Sequence, residues 1–198
     1  MERSPAPRSI RQRRRSGFSR VEVLIVIVII GITVVLVAPK INIAHYQVDG
    51  AMQSIGYQLM GAQREAISQQ HDVIVEFDAA NGALIIIDDN NNNRTVDAGE
   101  RVRTVTLDKL VRFGRASASA LSFGSANISF TQTMGGLPSL TFHRNGAASQ
   151  DGGVYLSSSR AIAGDASRQG DTRAVIVDRP TGRIEWWRYD GSAWHQGF

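Results

Sequence analysis

The pattern of hydrophobic and polar positions divides the chain into three parts. An apolar run extends from Val21 to Ala38, interrupted only by Glu22 and Thr33. Beyond it, apolar residues recur at intervals of four and three, which predicts an amphipathic helix to about residue 70. The predicted buried stripe consists of Val48, Met52, Ile55, Leu59, Ala62 and Ala66. From residue 72 onward the period becomes two, which predicts β-strands.

The predicted strands begin with a hairpin, in which segments 72–78 and 83–87 flank an Asn-Gly turn at residues 81–82. Segments 114–126 and 158–172 are rich in Gly, Ala and Ser, which predicts surface loops. Further strands are predicted at 101–107, 109–113, 127–131, 139–143, 153–157, 173–178 and 183–189. One long N-terminal helix followed by strands predicts an α+β fold, with the helix packed on an antiparallel β-sheet.

The positive charge of the chain is concentrated at its N-terminus. Residues 1–17 carry six arginines and one acidic residue, whereas the whole chain has a net charge of +4. A basic head before an apolar run is typical of a targeting or anchoring segment. As a helix, Phe18 to Ala38 would measure about 30 Å, the thickness of the bilayer hydrocarbon core. By the positive-inside rule, the arginines would stay cytoplasmic and the rest of the chain would lie outside.

A cleaved secretory signal is the alternative interpretation of the apolar run. The cut would follow Ala38 and leave Pro39 directly behind it, which is an unfavourable context, and the run is long for such a signal. Glu22 points to a different role, because an ionisable residue within a membrane segment is costly and is usually functional.

The residues before Glu22 resemble the prepilin peptidase site of type IV pilins and pseudopilins. Segment 16–22 reads Ser-Gly-Phe-Ser-Arg-Val-Glu. In that family the basic leader is removed after the glycine and the new terminal phenylalanine is N-methylated. The resemblance implies cleavage between Gly17 and Phe18, N-methylation of Phe18 and an assembly role for Glu22. Arg20 departs from the pattern, since an aliphatic residue is usual there.

The remainder of the chain is similar to the minor subunits of the GspH/FimT family. The resemblance rests on a strand that runs into an Asn-Gly turn at 142–148, on 153–156, on 175–178 and on Thr181-Gly182-Arg183. It implies a minor pseudopilin, a structural subunit of a pilus-like filament in type II protein secretion or type IV pilus assembly. The implied segments are a cleaved leader at 1–17, a transmembrane half-helix at 18–39, a soluble half-helix at 40–71 and a β-rich domain at 72–198.

The same resemblance implies a location and a set of partners. The protein would be a single-pass protein of the bacterial inner membrane, with a cytoplasmic leader and a periplasmic C-terminal domain. Its partners would be a prepilin peptidase, other pseudopilins or pilins, and an inner-membrane assembly platform with its ATPase.

The sequence carries no signature of catalysis. It has no cysteine, no P-loop, GxSxG or HExxH motif, and its four histidines lack metal-ligand spacing. We therefore predict a non-enzymatic protein without a cofactor. A membrane-anchored enzyme whose active site has no sequence signature is one alternative to this prediction.

One loop has the ligand spacing of a calcium site. Oxygen-bearing side chains occupy positions 1, 3, 5, 9 and 12 of segment 89–100, as in an EF-hand. These candidate ligands are Asp89, Asn91, Asn93, Asp97 and Glu100. Arg94 occupies the sixth position, where the sharp turn requires glycine. The competing interpretation is an Asn-rich connection between two strands.

The C-terminal region supports a second function, DNA binding during uptake in natural transformation. Three tryptophans lie near Arg179, Arg183 and Arg188, and interleaved aromatic and basic side chains can bind single-stranded nucleic acid. Some FimT-like minor pilins bind DNA through a Gly-Arg-x-Arg signature. Here segment 182–185 reads Gly-Arg-Ile-Glu, so an acid replaces the second arginine. We therefore rank DNA binding behind the filament role.

Overall fold

The computed structural model describes residues 17–37 and 43–197, which belong to two separate units, 1–42 and 43–198. Residues 1–16 of the predicted leader lie outside the described residues. So do residues 38–42, where the predicted transmembrane segment meets the predicted soluble half-helix.

The first unit contains helix α1, Arg20–Val37. Gly17 to Ser19 precede it without regular structure. The apolar side chains of α1 are exposed; Leu24, for example, is 62% exposed and Ile27 63%. In the part of the chain that the structure describes, no helix combines the length and apolarity needed to cross a membrane.

The second unit begins with helix α2, Ile43–Gln69. The predicted stripe is confirmed, because all six of its residues are at most 1% exposed. They pack against both β-sheets, so α2 supplies one wall of the core. At Gly56 the Trp186 indole approaches the helix so closely that a Cβ would lie 2.2 Å from its Nε1 atom.

Within the described residues, the strands form two five-stranded antiparallel sheets, where the sequence had predicted one. The first sheet has the order β3-β2-β1-β6-β5 and the second β10-β9-β8-β7-β4. The strands are β1 Asp72–Asp78, β2 Ala83–Asp89, β3 Val102–Thr106, β4 Val111–Phe113, β5 Thr133–Met134, β6 Leu137–Phe142, β7 Gly152–Ser158, β8 Thr172–Val177, β9 Ile184–Tyr189 and β10 Trp194–Gln196.

Two local predictions were wrong, and two short strands were not predicted. Segment 127–131 is not a strand, because it bonds to β7 at separate points and forms one isolated bridge, Ile128 to Val154. The predicted loop 158–172 contains the short helix α3, Ser159–Ile162, and a 3-10 turn, Ala166–Arg168. The short strands β5 and β10 were missed, since two or three residues are too few to show a period.

Candidate functional site

The predicted processing site lies in an accessible segment. Gly17 has open space around it, with nothing among the described residues within 4 Å of the position a Cβ would take. Phe18 is 79% exposed. Both residues precede α1, so the peptide bond that joins them is not part of a helix. A peptidase could therefore reach this bond in an extended conformation.

Glu22 occupies the first turn of α1. The Val23 backbone N–H donates to the Ser19 carbonyl oxygen at 3.1 Å, which makes Ser19 the N-cap residue. Ser19 and Glu22 are therefore spaced as in a capping box, a serine at the N-cap and a glutamate three residues later. The helix dipole favours a carboxylate at this end. Any assembly role of Glu22 has to be distinguished from this local one.

The predicted calcium loop folds as a self-contained hydrogen-bonded connection. The two Asp89 carboxylate oxygens accept from the backbone N–H groups of Asn93 and Arg94, at 3.0 and 2.8 Å. The Asp97 carboxylate accepts from the Asn91 and Asn93 side-chain amides, at 2.8 and 2.6 Å. These two hydrogen bonds lower the pKa of Asp97. Protein donors thus already bond to the Asp89 and Asp97 carboxylates.

Glu100 closes the same loop. Its carboxylate accepts from the backbone N–H groups of Asn90 and Asp97, at 3.1 and 2.9 Å. Arg94, at the sixth position, adopts a left-handed φ of 61°. In residues 17–37 and 43–197, no group of three or more His, Cys, Asp or Glu side chains is placed to hold a metal ion. Calcium is therefore not supported, and the loop is better described as an Asx-rich connection between β2 and β3.

The three candidate DNA-binding arginines lie in different surroundings. Arg183 forms an ion pair with Glu185, the acid that replaces the second arginine of the DNA-uptake signature. Both residues line a groove of about 420 Å³ on the second sheet. Arg179 lines a different cavity, beside β6. Arg188 is exposed on β9, where it pairs across the sheet with Arg173 and His195.

The turns that carry the GspH/FimT resemblance meet at one side chain of α2. The Gln63 side-chain amide donates to the Gly146 carbonyl oxygen at 2.7 Å and to the Thr181 carbonyl oxygen at 2.8 Å. Gly182 has a φ of +62°, and a Cβ there would lie 2.3 Å from the Gly146 oxygen. The Asn-Gly and Thr-Gly turns are therefore positioning elements that fasten both sheets to α2. A glutamine inside a helix gives no sequence signal of this role.

A second feature missed in the sequence is a buried ion pair near the start of α2. The Arg173 side chain on β8 is 0% exposed and pairs with Asp49 of α2. It also donates to the Gly170 and Thr172 carbonyl oxygens, at 2.8 Å each. His45 lies 3.2 Å from its Nη2 atom. The pair fixes the beginning of α2 to the second sheet.

The sequence profile of the family described as Type II transport protein GspH matches residues 51–182. The chain belongs to the GspH family. The matched segment extends from α2 to the Thr-Gly turn and includes Gln63 and both turns that it holds. This match confirms the GspH-like resemblance. The structure confirms the predicted α+β class with antiparallel strands. No curated protein sequence matches the chain.

Two solved structures are similar to this chain. Both are of the minor pseudopilin EpsH from the type II secretion system of Vibrio cholerae. The first has a TM-score of 0.47 and 12% identity, and the match covers 72% of this chain and 97% of that one. The second has a TM-score of 0.36 and 11% identity, with 76% and 92% covered.

Proposed function

We propose that this GspH-family protein is a minor pseudopilin, a structural subunit of a pilus-like filament in type II protein secretion. The observation that carries the proposal is the arrangement at the N-terminus. An exposed Gly17–Phe18 bond is followed by an exposed apolar helix with one acid, Glu22, in its first turn. A helix that is apolar on all sides needs lipid or other helices around it, since water solvates it poorly. We propose no catalytic role for any residue.

The first helix would act as the membrane anchor. The described helix α1 has 18 residues, which corresponds to roughly 27 Å. The proposed membrane segment 18–39 has 22 residues, within the range of about 17–25 that a spanning segment needs. This topology keeps the arginine-rich leader in the cytoplasm and places residues 40–198 in the periplasm of the inner membrane.

The proposed filament role requires partners that supply the chemistry and the energy. A prepilin peptidase would cleave after Gly17 and methylate Phe18. Other pseudopilins would surround the first helix, and an inner-membrane platform with its ATPase would drive insertion of the subunit. Membership of the GspH family supports other pseudopilins as partners.

Processing provides the direct test of the N-terminal proposal. We expect co-expression with a prepilin peptidase to remove residues 1–17 and to leave an N-methylated Phe18, as determined by mass spectrometry. Gly17→Val should block cleavage, because a branched side chain should not fit where the peptidase needs glycine. Thr33→Val, within α1, is the matched control and should be cleaved normally. A mature terminus at Pro39 would contradict the pilin interpretation and favour a secretory signal.

DNA uptake is the alternative function, and its binding step can be measured separately. We expect weak binding of duplex DNA, because residues 45–198 carry 14 basic and 16 acidic residues and Arg183 is paired with Glu185. The measurement is fluorescence anisotropy over a salt series, since phosphate contacts give a steep salt dependence. Submicromolar, salt-sensitive affinity that disappears in the Arg179→Gln, Arg183→Gln, Arg188→Gln triple variant would place DNA binding ahead of the filament role.

A further inference from the structure

A cavity of about 300 Å³ lies beside β6 of the first sheet. Its polar lining includes two arginines from distant loops, Arg94 and Arg179, together with His143, Thr141 and Ser149. None of these residues takes part in the N-terminal proposal.

The strand pairing explains how polar groups reach this cavity. Leu140 and Phe142 of β6 face the core, so the alternating residue Thr141 faces the other side of the sheet. β6 pairs with β1, and His143 follows directly after β6. The His143 Nδ1 atom lies 3.0 Å from the Asp72 carboxylate at the start of β1. This contact orients the imidazole.

The two arginines differ in how they are held. The Arg94 backbone N–H donates to Asp89 at 2.8 Å, and its guanidinium donates to the Gln132 side-chain oxygen at 3.2 Å. Arg179 is placed by its backbone N–H, which donates to Asp151 at 2.7 Å. In the described part of the chain, neither guanidinium forms an ion pair. The cavity therefore presents two guanidinium groups without an ion-pair partner, together with the Asp72 carboxylate that His143 contacts.

Thr141 provides an independent sign of a ligand. Its side chain is buried, with 1% exposure, and its Oγ1 atom has no hydrogen-bond partner among the described residues. The neighbouring backbone groups are satisfied, since the Thr141 N–H donates to the Ser149 hydroxyl at 3.1 Å. A buried hydroxyl without a partner destabilises the fold. A bound acceptor oxygen in the cavity would supply the missing hydrogen bond.

We propose that this cavity binds a carboxylate presented by an acidic segment of a protein partner. A carboxylate accepts hydrogen bonds from guanidinium groups and from a hydroxyl at the same time, which suits Arg94, Arg179 and Thr141. The cavity is small, and the Asp72 carboxylate in its lining already contacts His143. A nucleic-acid backbone carries continuous charge and needs a stripe of several cations, which two arginines in a recess do not supply. The inference does not depend on the filament role.

Calorimetric titration of the full chain in detergent micelles tests the proposal. The first probe is an acetylated, amidated hexapeptide with two glutamates, and its glutamine counterpart is the neutral control. A third peptide of alanines with a free C-terminal carboxylate distinguishes a side-chain source from a chain-terminal source. We expect saturable binding of at least one carboxylate peptide and none of the glutamine peptide.

Three variants connect that binding to the cavity. The double variant Arg94→Gln, Arg179→Gln should weaken peptide binding by about tenfold or more. The control is Arg64→Gln, Arg160→Gln, which makes an equal charge change at exposed sites. It should leave the affinity within about twofold of the unmodified protein. Thr141→Val should weaken binding by about threefold or more yet raise the thermal midpoint of the free protein, because the unbonded hydroxyl is removed. If Thr141 had only a structural role, Thr141→Val would not weaken binding while raising the thermal midpoint.

Several outcomes would overturn the proposal. One is the absence of saturable binding with either carboxylate peptide. Another is an equal loss of affinity in the Arg64→Gln, Arg160→Gln control. If duplex DNA binds and loses affinity in the Arg94→Gln, Arg179→Gln variant while the peptides do not bind, the cavity belongs to a nucleic-acid site.

Discussion

Replacing Glu22 with alanine or leucine is expected to leave leader cleavage and membrane insertion intact but to reduce incorporation into the filament complex to near background. A carboxylate in an apolar membrane helix costs about 2.5–3.5 kcal/mol at the centre of the bilayer, and less near its surface. Cleavage after Gly17 would create a cationic amine at Phe18 that could neutralise it. A subunit shifted along the filament axis could place this amine against the Glu22 carboxylate of a neighbour and so set the register.

Two local explanations of Glu22 compete with this one. Arg20 or the chain's own new terminus could neutralise the carboxylate without any neighbour. The position of Glu22 three residues after Ser19 also suits a capping box, which would stabilise the first turn of α1 by about 1 kcal/mol. In both cases assembly would not depend on a charge shared between subunits.

Glu22→Gln distinguishes the ion-pair role of Glu22 from its capping role. Glutamine can serve in a capping box but carries no charge. If an intersubunit ion pair acts, Glu22→Gln should impair assembly as much as Glu22→Ala. If capping is the role, Glu22→Gln should assemble normally and Ser19→Ala should fail. The readout is crosslinking and co-purification with the other pseudopilins, and unchanged crosslinking in Glu22→Ala and Glu22→Leu would show that the assembly role is wrong.

The local pattern of apolar residues predicted the parts of the fold in which that pattern repeats over several helical turns or strand residues. The α2 stripe is buried as predicted because six apolar residues at helical spacing have one consistent way to pack. The hairpin of β1 and β2 follows from the turn at Asn81 and Gly82, where Gly82 takes a φ of +63°. The division of the strands into two sheets could not be predicted, because it depends on pairings between segments far apart in sequence.

The functional predictions show the same limit. The spacing of oxygens in 89–100 suggested calcium, but spacing does not reveal that Asn91 and Asn93 direct their amide N–H groups at Asp97. Arg179, Arg183 and Arg188 are close in sequence, which suggested one DNA-binding group. In the structure, Arg179 lines the same cavity as Arg94, 85 residues away, and Arg183 pairs with Glu185. Long-range juxtaposition decides which polar side chains form a site.

The ion pair of Arg173 with Asp49 is another long-range contact that the sequence did not predict, and it bears directly on stability. We expect Asp49→Ala to lower the free energy of unfolding by about 3 kcal/mol, because it leaves the buried guanidinium without its carboxylate. The value lies at the low end for a broken buried pair, since the Asp49 side chain is 28% exposed and water can partly replace it. A loss of this size is a large share of the stability of a typical domain. Asp49→Asn should cost less, because the amide oxygen still accepts a hydrogen bond.

Urea unfolding followed by tryptophan fluorescence measures these changes, since all three tryptophans lie between residues 186 and 194. Arg64→Ala, at an exposed position of the same helix, is the control and should change stability by less than about 0.5 kcal/mol. The double variant Asp49→Leu, Arg173→Met should lose less than the sum of its single changes, because it removes both charges together. Additive losses would mean that the two side chains stabilise the protein independently and that their ion pair does not hold α2 to the second sheet.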